Sequence, residues 1–230
     1  MLRIVEIFDS IQGEGLFIGT PMTFVRLAGC NLRCRWCDTK YALDIASGKE
    51  MTVDQILRRI HYPDVCITGG EPLLQHRELV TLCERLRERA MVHIETNGTI
   101  LPDPLPQVDS WVISPKLTNS GMKEHLKIEV LRELCKQIPF FQLKFIIDDR
   151  RDIYEAFELC EEIRRVNPEF TVIFQPLNRN PERVGVNYNE YFKRLTEMMT
   201  TIMTLLKQYT YDVRILPQLH YLMFKGERGR

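Results

Sequence analysis

Cys30, Cys34 and Cys37 share one short loop with the spacing C-x-x-x-C-x-x-C. Three thiolates so close together form a soft ligand set suited to an iron-sulfur cluster. A cubic four-iron cluster held by only three cysteines keeps one iron open to a further ligand. A structural zinc site would want a fourth Cys or His at ligand spacing, which the neighbouring sequence lacks; the nearest histidine, His61, falls in a predicted helix. Zinc completed by a distant residue and fortuitous clustering stay open as alternatives. A disulfide framework calls for an even number of cysteines in an oxidising compartment, whereas this chain has seven.

A second group of polar residues follows the apolar runs of the chain. Thr68-Gly69-Gly70-Glu71-Pro72 ends one run, Glu95-Thr96-Asn97-Gly98 the next, Ser114-Pro115-Lys116 a third, Asp148 a fourth and Gln175-Pro176 a fifth. In parallel α/β architectures ligands sit beyond the carboxyl ends of the strands, so residues at these places are candidates for binding. Paired glycines let the backbone approach a ligand closely, and a following proline fixes the turn. By itself Gly-Gly-Glu-Pro reads as a turn opening a helix. Downstream of the cysteine loop it points to a site.

The elements that must position these groups read as strands alternating with amphipathic helices, the pattern of a parallel sheet. Strands are expected at 22–27, 65–68, 91–95, 110–113, 142–147, 171–175 and 212–216. Helical stripes run through Val53, Ile56, Leu57 and Ile60; Leu79, Val80, Cys83 and Leu86; Ile128, Leu131, Leu134, Cys135 and Ile138; and Ile153, Ala156, Phe157, Cys160 and Ile163. A last helix over 189–209 repeats Phe192, Leu195, Met198, Met199, Ile202, Leu205 and Leu206 at helical spacing, which makes its methionines core filler. Cys66, Cys83, Cys135 and Cys160 read as small buried hydrophobes. The opening segment 3–8 reads as an added edge strand, followed by the glycine-flexible loop 12–15. The proline-rich piece 101–106 is a surface turn.

At 230 residues and 44% apolar composition the chain is long enough for one domain spanning 1–230. Acidic and basic residues balance at 31 each, so no net field draws in nucleic acid or an anionic membrane. No uninterrupted apolar stretch approaches bilayer-spanning length, and the odd cysteine count fits a reducing compartment; a cytoplasmic location is expected.

Taken together, the cysteine loop and Gly69 to Pro72 resemble the radical S-adenosylmethionine superfamily. The resemblance narrows to the 7-carboxy-7-deazaguanine synthases through segments spread over 12–220: Gln12 to Gly15, Phe24 to Cys30, Trp36 to Thr39, Thr68 to Pro72, Glu95 to Gly98, Ser114 to Lys116 with Ser120 to Met122, and Arg214 to His220. The stretch 117–119 departs from the family pattern. The resemblance implies an α/β fold, a partial (β/α) barrel open on one side, with the N-terminal edge strand and a C-terminal tail added. It also implies a [4Fe-4S] cluster on Cys30, Cys34 and Cys37, and S-adenosyl-L-methionine whose sulfonium bond is cleaved to a 5′-deoxyadenosyl radical. Magnesium would be held by Thr39. The implied reaction is ring contraction of 6-carboxy-5,6,7,8-tetrahydropterin to 7-carboxy-7-deazaguanine with loss of ammonia, on the route to queuosine and other deazapurines.

By the same resemblance Gly70, Ser114, Pro115, Lys116 and Asp38 would hold the cofactor. Gln12, Gly13, Glu14, Arg26, Thr68 and Arg230 would hold the substrate. A guanidinium at Arg26 can pair with the substrate carboxylate, or else with a carboxylate of the protein. Gln12 and Glu14 offer acceptors and donors suited to a pterin's amino-pyrimidinone edge. Lys116 would be costly to bury without an anion. Glu71 orients its loop, and His220 is a rim residue of a tail that closes over the site. An electron donor such as flavodoxin or ferredoxin and a homodimeric assembly are implied partners. Two other readings share the cysteine loop: an activase that installs a glycyl radical on a partner protein, and a non-enzymatic thiolate metal module.

Overall fold

The computed structural model describes residues 1–179, 185–225 and 227; Arg230 and its expected substrate contact lie outside them. Within these residues one sheet runs through nine strands: β1 (Leu2–Ile11), β2 (Pro21–Leu27), β3 (Lys49–Met51), β4 (Asp64–Gly69), β5 (Met91–Thr96), β6 (Ser110–Ile113), β7 (Phe141–Ile147), β8 (Phe170–Pro176) and β9 (Asp212–Ile215). Their spatial order is β3-β1-β2-β4-β5-β6-β7-β8-β9. All pairings from β2 to β9 are parallel, while β1 and β3 join antiparallel. The two ends of that order do not pair, which gives a (β/α) barrel open on one side.

Parallel strands are covered on both faces and therefore read as nearly continuous apolar runs. Every residue of β7 and β8 is buried. The side chains nevertheless alternate between two different environments. Val25, Leu27, Val65, Ile67, Val92, Ile94, Trp111, Ile113, Leu143, Phe145, Val172 and Phe174 point outward into one continuous apolar cluster. The other face carries a small apolar group, Met22, Phe24 and Cys66 packed with Phe8 and Phe17, and above it a set of polar side chains.

The outer cluster is completed by α1 (Val53–Leu57), α2 (His76–Arg87), α3 (Ile128–Gln137), α4 (Arg150–Arg164) and α5 (Tyr188–Leu205), which lay their apolar stripes on the sheet. Two of these helices start on reciprocal caps, Thr52 with Gln55 and Asp149 with Asp152, which satisfy otherwise orphaned N–H groups. Among the described residues no helix is long and apolar enough to cross a membrane.

The structure departs from the sequence reading at four places. β1 pairs with β2 as an added strand, but the short, polar β3 covers its other side, so β1 is not the outermost strand. His61 lies beyond α1, which ends at Leu57, and pairs with Asp9 (Nδ1 to Oδ2, 2.6 Å). The stripe of α5 is only partly core: Met198 and Ile202 are buried, yet Phe192, Met199 and Met203 are exposed, because the helix presents one narrow face to the sheet. Finally, the tail folds into a helix, α6 (Leu219–Phe224), which its sequence does not announce.

Candidate active site

A pocket opens at the carboxyl ends of the parallel strands, lined on one side by Cys30, Cys34 and Cys37 and on the other by Gln12, Gly13 and Glu14, with Arg26, Thr68, Glu95 and Lys116 between them. The register explains part of the convergence. Arg26 lies opposite Thr68, and Leu27 opposite Gly69, so the last residues of β2 and β4 reach the same level.

The cysteine loop is held down by the Gly-Gly-Glu-Pro turn. Gly70 N–H donates to Leu27 O (3.1 Å) and Glu71 N–H to Gly29 O (2.8 Å). A Cβ on Gly70 would stand 2.1 Å from Gly29 O, and one on Gly69, at φ 143°, would stand 2.2 Å from Leu27 O. Only glycine permits this approach. Glu71 is fully buried and accepts from Leu73 N–H (3.0 Å), Thr96 Oγ1 (2.7 Å) and Asn97 N–H (2.7 Å). Burial raises its pKa, against the pull of those three hydrogen bonds. It ties two strand ends together, as its sequence context suggests, and Asn97 carries the link onward to Asn31 in the cysteine loop (3.0 Å).

From the other flank, Arg35 N–H donates to Ser120 O (3.0 Å) and Trp36 Nε1 to Asn119 Oδ1 (3.1 Å). Asn119 and Ser120 thus support the loop. Lys116 packs its ammonium 5.5 Å from the centre of the Trp36 ring and donates to Ser114 Oγ (2.9 Å). Burial lowers its pKa, with the Cys34 thiol pulling the other way, and among the described residues no carboxylate lies within ion-pair distance. Ser114 lines the pocket with Lys116, whereas Pro115 does not. Asp38 is exposed and accepts from Thr39 Oγ1 (2.8 Å).

Burial raises the pKa of all three loop cysteines, Cys37 to about 11 with Asp38 adding to the effect. They are protonated thiols at neutral pH, and a bound metal centre would release their protons. Three thiols lining one pocket are the soft donor type that an iron-sulfur cluster takes. None of the other four cysteines lines the pocket. Among the described residues no three His, Cys, Asp or Glu side chains converge on one ion. A single zinc would draw thiolates to about 3.8 Å from one another, given Zn–S bonds of about 2.3 Å.

The opposite wall comes from the β1–β2 loop. Gln12 is buried, and its Nε2 donates to Glu95 Oε1 (3.3 Å). Thr68 Oγ1 donates to Glu95 Oε2 (3.0 Å). Glu14 accepts from Gln218 Nε2 (2.7 Å) and forms an ion pair with Lys144. Burial works to raise the Glu14 pKa, but Lys144 and His220 outweigh it and hold the carboxyl at about 2. Gln218 Oε1 is buried without a hydrogen-bond partner among the described residues. Gly13 lets the tail dock: Leu219 N–H donates to Gly13 O (2.9 Å), and a Cβ there would meet His220 Nδ1 at 2.0 Å.

Arg26 donates from Nε to Glu6 Oε1 (2.7 Å) and lies over the rings of Phe8 and Tyr41. Burial alone would lower its pKa, but Tyr41 and Glu6 raise it, so the charge is permanent. Of the pocket residues, Lys144 and Gln218 escape the sequence reading, as does the part Glu95 plays, and so does Glu6, the partner of Arg26. A lysine at the middle of the apolar run Phe141 to Ile147 is the signal that was there to find.

Residues 24–110 match the Radical SAM superfamily. The chain is 34% identical over 238 residues to 7-carboxy-7-deazaguanine synthase of Pyrobaculum aerophilum, covering 100% of this chain and 97% of that one. It is 37% identical to the enzyme of the same name from Hyperthermus butylicus, over 97% of this chain and 93% of the other. Among solved structures it resembles QueE from Escherichia coli, at a TM-score of 0.64 and 23% identity, covering 93% of this chain and 94% of that chain. Streptococcus suis SuiB, in a structure bound to S-adenosylmethionine, matches at a TM-score of 0.54 and 16% identity, over 82% of this chain and 48% of that chain. These two likenesses concern the fold; the sequence relatives carry more. With a cysteine loop, a glycine turn and a polar pocket in place along its full length, the chain belongs to the 7-carboxy-7-deazaguanine synthase family of radical S-adenosylmethionine enzymes.

Proposed function

We propose that this chain contracts 6-carboxy-5,6,7,8-tetrahydropterin to 7-carboxy-7-deazaguanine with loss of ammonia, and that the pocket at the strand ends is where it does so. The observation that carries this reading is the opposition of two unlike walls: three thiols on one side, and a hydrogen-bonding set of Gln12, Glu14, Thr68 and Gln218 on the other. Cys30, Cys34 and Cys37 would hold an iron-sulfur cluster, which with S-adenosylmethionine would supply the radical chemistry that begins the rearrangement.

The remaining steps fall to the protein. Gly70 offers its carbonyl edge and Lys116 its ammonium to the amino acid part of the cofactor, and Ser114 and Asp38 complete that side. Among the described residues Lys116 has no carboxylate partner, which favours an anionic ligand at its place. Glu14, ionised at every working pH, accepts from the N–H groups of the pterin's amino-pyrimidinone edge. Gln12, Gly13 and Thr68 fix the ring, while Arg26, steadied by Glu6, presents a cation to the substrate carboxylate. Thr39 would place a hard oxygen on magnesium. The C-terminal segment, docked on Gly13 through Leu219, keeps water from the ring. An electron donor of the flavodoxin or ferredoxin kind, a cytoplasmic setting and a homodimer complete the proposal.

The experiment is anaerobic reconstitution with iron and sulfide, then incubation with the carboxypterin, S-adenosylmethionine, Mg²⁺ and a reductant. A deazapurine chromophore is the expected product. A reconstituted protein that cleaves S-adenosylmethionine reductively yet leaves the pterin unchanged would overturn the substrate assignment.

A further inference from the structure

β7 passes through the molecule with its odd-numbered side chains, Phe141, Leu143, Phe145 and Ile147, in the outer apolar cluster. Its even-numbered side chains face the barrel interior. Gln142 there accepts from Leu16 N–H (2.8 Å), and one position higher on the same face stands Lys144, with only 7% of its surface exposed. Its ammonium pairs with Glu14 and lies 4.0 Å from Glu95 Oε1. Both carboxylates are otherwise hydrogen-bonded within the pocket, Glu14 to Gln218 and Glu95 to Gln12 and Thr68. One cation therefore joins three separate parts of the substrate wall: the β1–β2 loop, the end of β5 and, through Glu14, the C-terminal segment.

Resting on the proposed function of this pocket, we infer that Lys144 is the positioning residue of substrate recognition: it keeps Glu14 charged beside Glu95 and turned so that its remaining lone pairs meet the pterin's N–H groups. Lys144 acts through Glu14, not on the reacting carbon. Two carboxylates in a buried pocket repel each other, and a cation between them offsets that repulsion. Gln218 holds one oxygen of Glu14 and Lys144 the other, so the plane of the carboxylate is fixed before the substrate arrives. Preset geometry of this kind removes an ordering cost from binding. A buried ion pair that served the fold alone would place no such demand on which way Glu14 faces.

Lys144 and, after it, His220 offset the burial of Glu14; with Lys144 gone, His220 alone faces that burial and the carboxyl moves upward, so that Glu14 takes up a proton as pH falls. The test compares wild type, Lys144→Met, Lys144→Arg and Glu14→Gln, each reconstituted with cluster, by kcat/KM for 6-carboxy-5,6,7,8-tetrahydropterin and by its equilibrium binding between pH 6 and 8. Lys144→Met is expected to lose kcat/KM by about tenfold per pH unit below the raised Glu14 pKa, mainly through KM, where wild type shows no such fall. Lys144→Arg restores the wild-type profile, and every variant carries the wild-type iron content. In a Glu14→Gln background the Lys144→Met change has no further effect on kcat/KM. If Lys144→Met does not fold, Lys144→Gln carries the same expectations. A Lys144→Met profile parallel to wild type, or an undiminished loss in the Glu14→Gln background, overturns the inference while the function stands. A wild-type protein that neither binds nor converts the pterin overturns both.

Discussion

The two faces of the sheet are built from the same strands and obey different rules. Outward from the barrel, Phe145, Phe174 and Phe157 pack on one another with ring centroids 5.5 to 5.9 Å apart, all essentially inaccessible to water. Inward, one residue along each strand, stand Gln142, Lys144 and Gln175, equally buried but each meeting a polar partner. The outer face is stabilised by area removed from water, at about 25 cal/mol per Å². The inner face accepts the desolvation cost of polar groups in exchange for orientation. A single strand thus separates what keeps the molecule folded from what lets it recognise a ligand.

Substitutions can break this division or sharpen it. The largest effect is expected from Cys34→Ala, which should abolish cluster iron and all cleavage of S-adenosylmethionine while leaving the melting temperature of the apo-protein nearly unchanged. Iron analysis and calorimetry check it, and residual cleavage would contradict it. On the outer face, Phe145→Ala should lower unfolding stability by about 3–5 kcal/mol with KM unaltered, measured by urea denaturation and steady-state kinetics. On the inner face, Arg26→Ala should keep the cluster and raise KM for the carboxypterin by roughly 10- to 100-fold, as loss of a charged hydrogen bond of about 1.5–3 kcal/mol implies. A wild-type KM would remove Arg26 from the recognition set.

The Glu14 carboxyl gives a pH signature of the inner face. Its folded pKa, about 2, is below its ordinary 4.5, so its stabilisation is complete above 4.5 and is lost as pH falls toward 2. The unfolding free-energy difference between wild type and Glu14→Gln should therefore be constant from pH 7 to 5 and shrink by pH 3. A difference that grows on acidification contradicts the assignment. The smallest effect belongs to Met203→Ser on the exposed side of α5, expected within about 0.5 kcal/mol of wild type by the same denaturation measurement.

The sequence displays the outer face well and the inner one poorly. The parallel strands agree to within one residue because strands buried on both sides read as apolar runs bounded by polar ends, as at Ser110–Ile113, whereas the antiparallel β1 runs three residues past its expected end. The cysteine loop and the Gly69-Gly70 turn announce themselves through spacing and residue type. Which residues of a strand face inward depends on parity, and parity shows only when the two faces differ in composition. In β7 that difference is Gln142 and Lys144 set among Phe141, Leu143 and Phe145. The pairing of Arg26 with Glu6 joins residues 20 apart across a bulged antiparallel register, which no local pattern encodes. Polar β3 is too short for any periodicity, and the stripe of α5 does not say how much of itself the sheet will cover.

The loop between β1 and β2 dips into the barrel over residues 12–17. Gln12 and Glu14 face the pocket, Leu16 N–H reaches down to Gln142, and the ring of Phe17 meets His93 edge-on at 4.4 Å among the apolar residues beneath. Ligand reader and foundation plug are consecutive parts of one short peptide. Loosening the plug from below, as in Phe17→Ala, would blur what is read above, so an apolar residue outside the pocket lining bears on how firmly the reading groups are held.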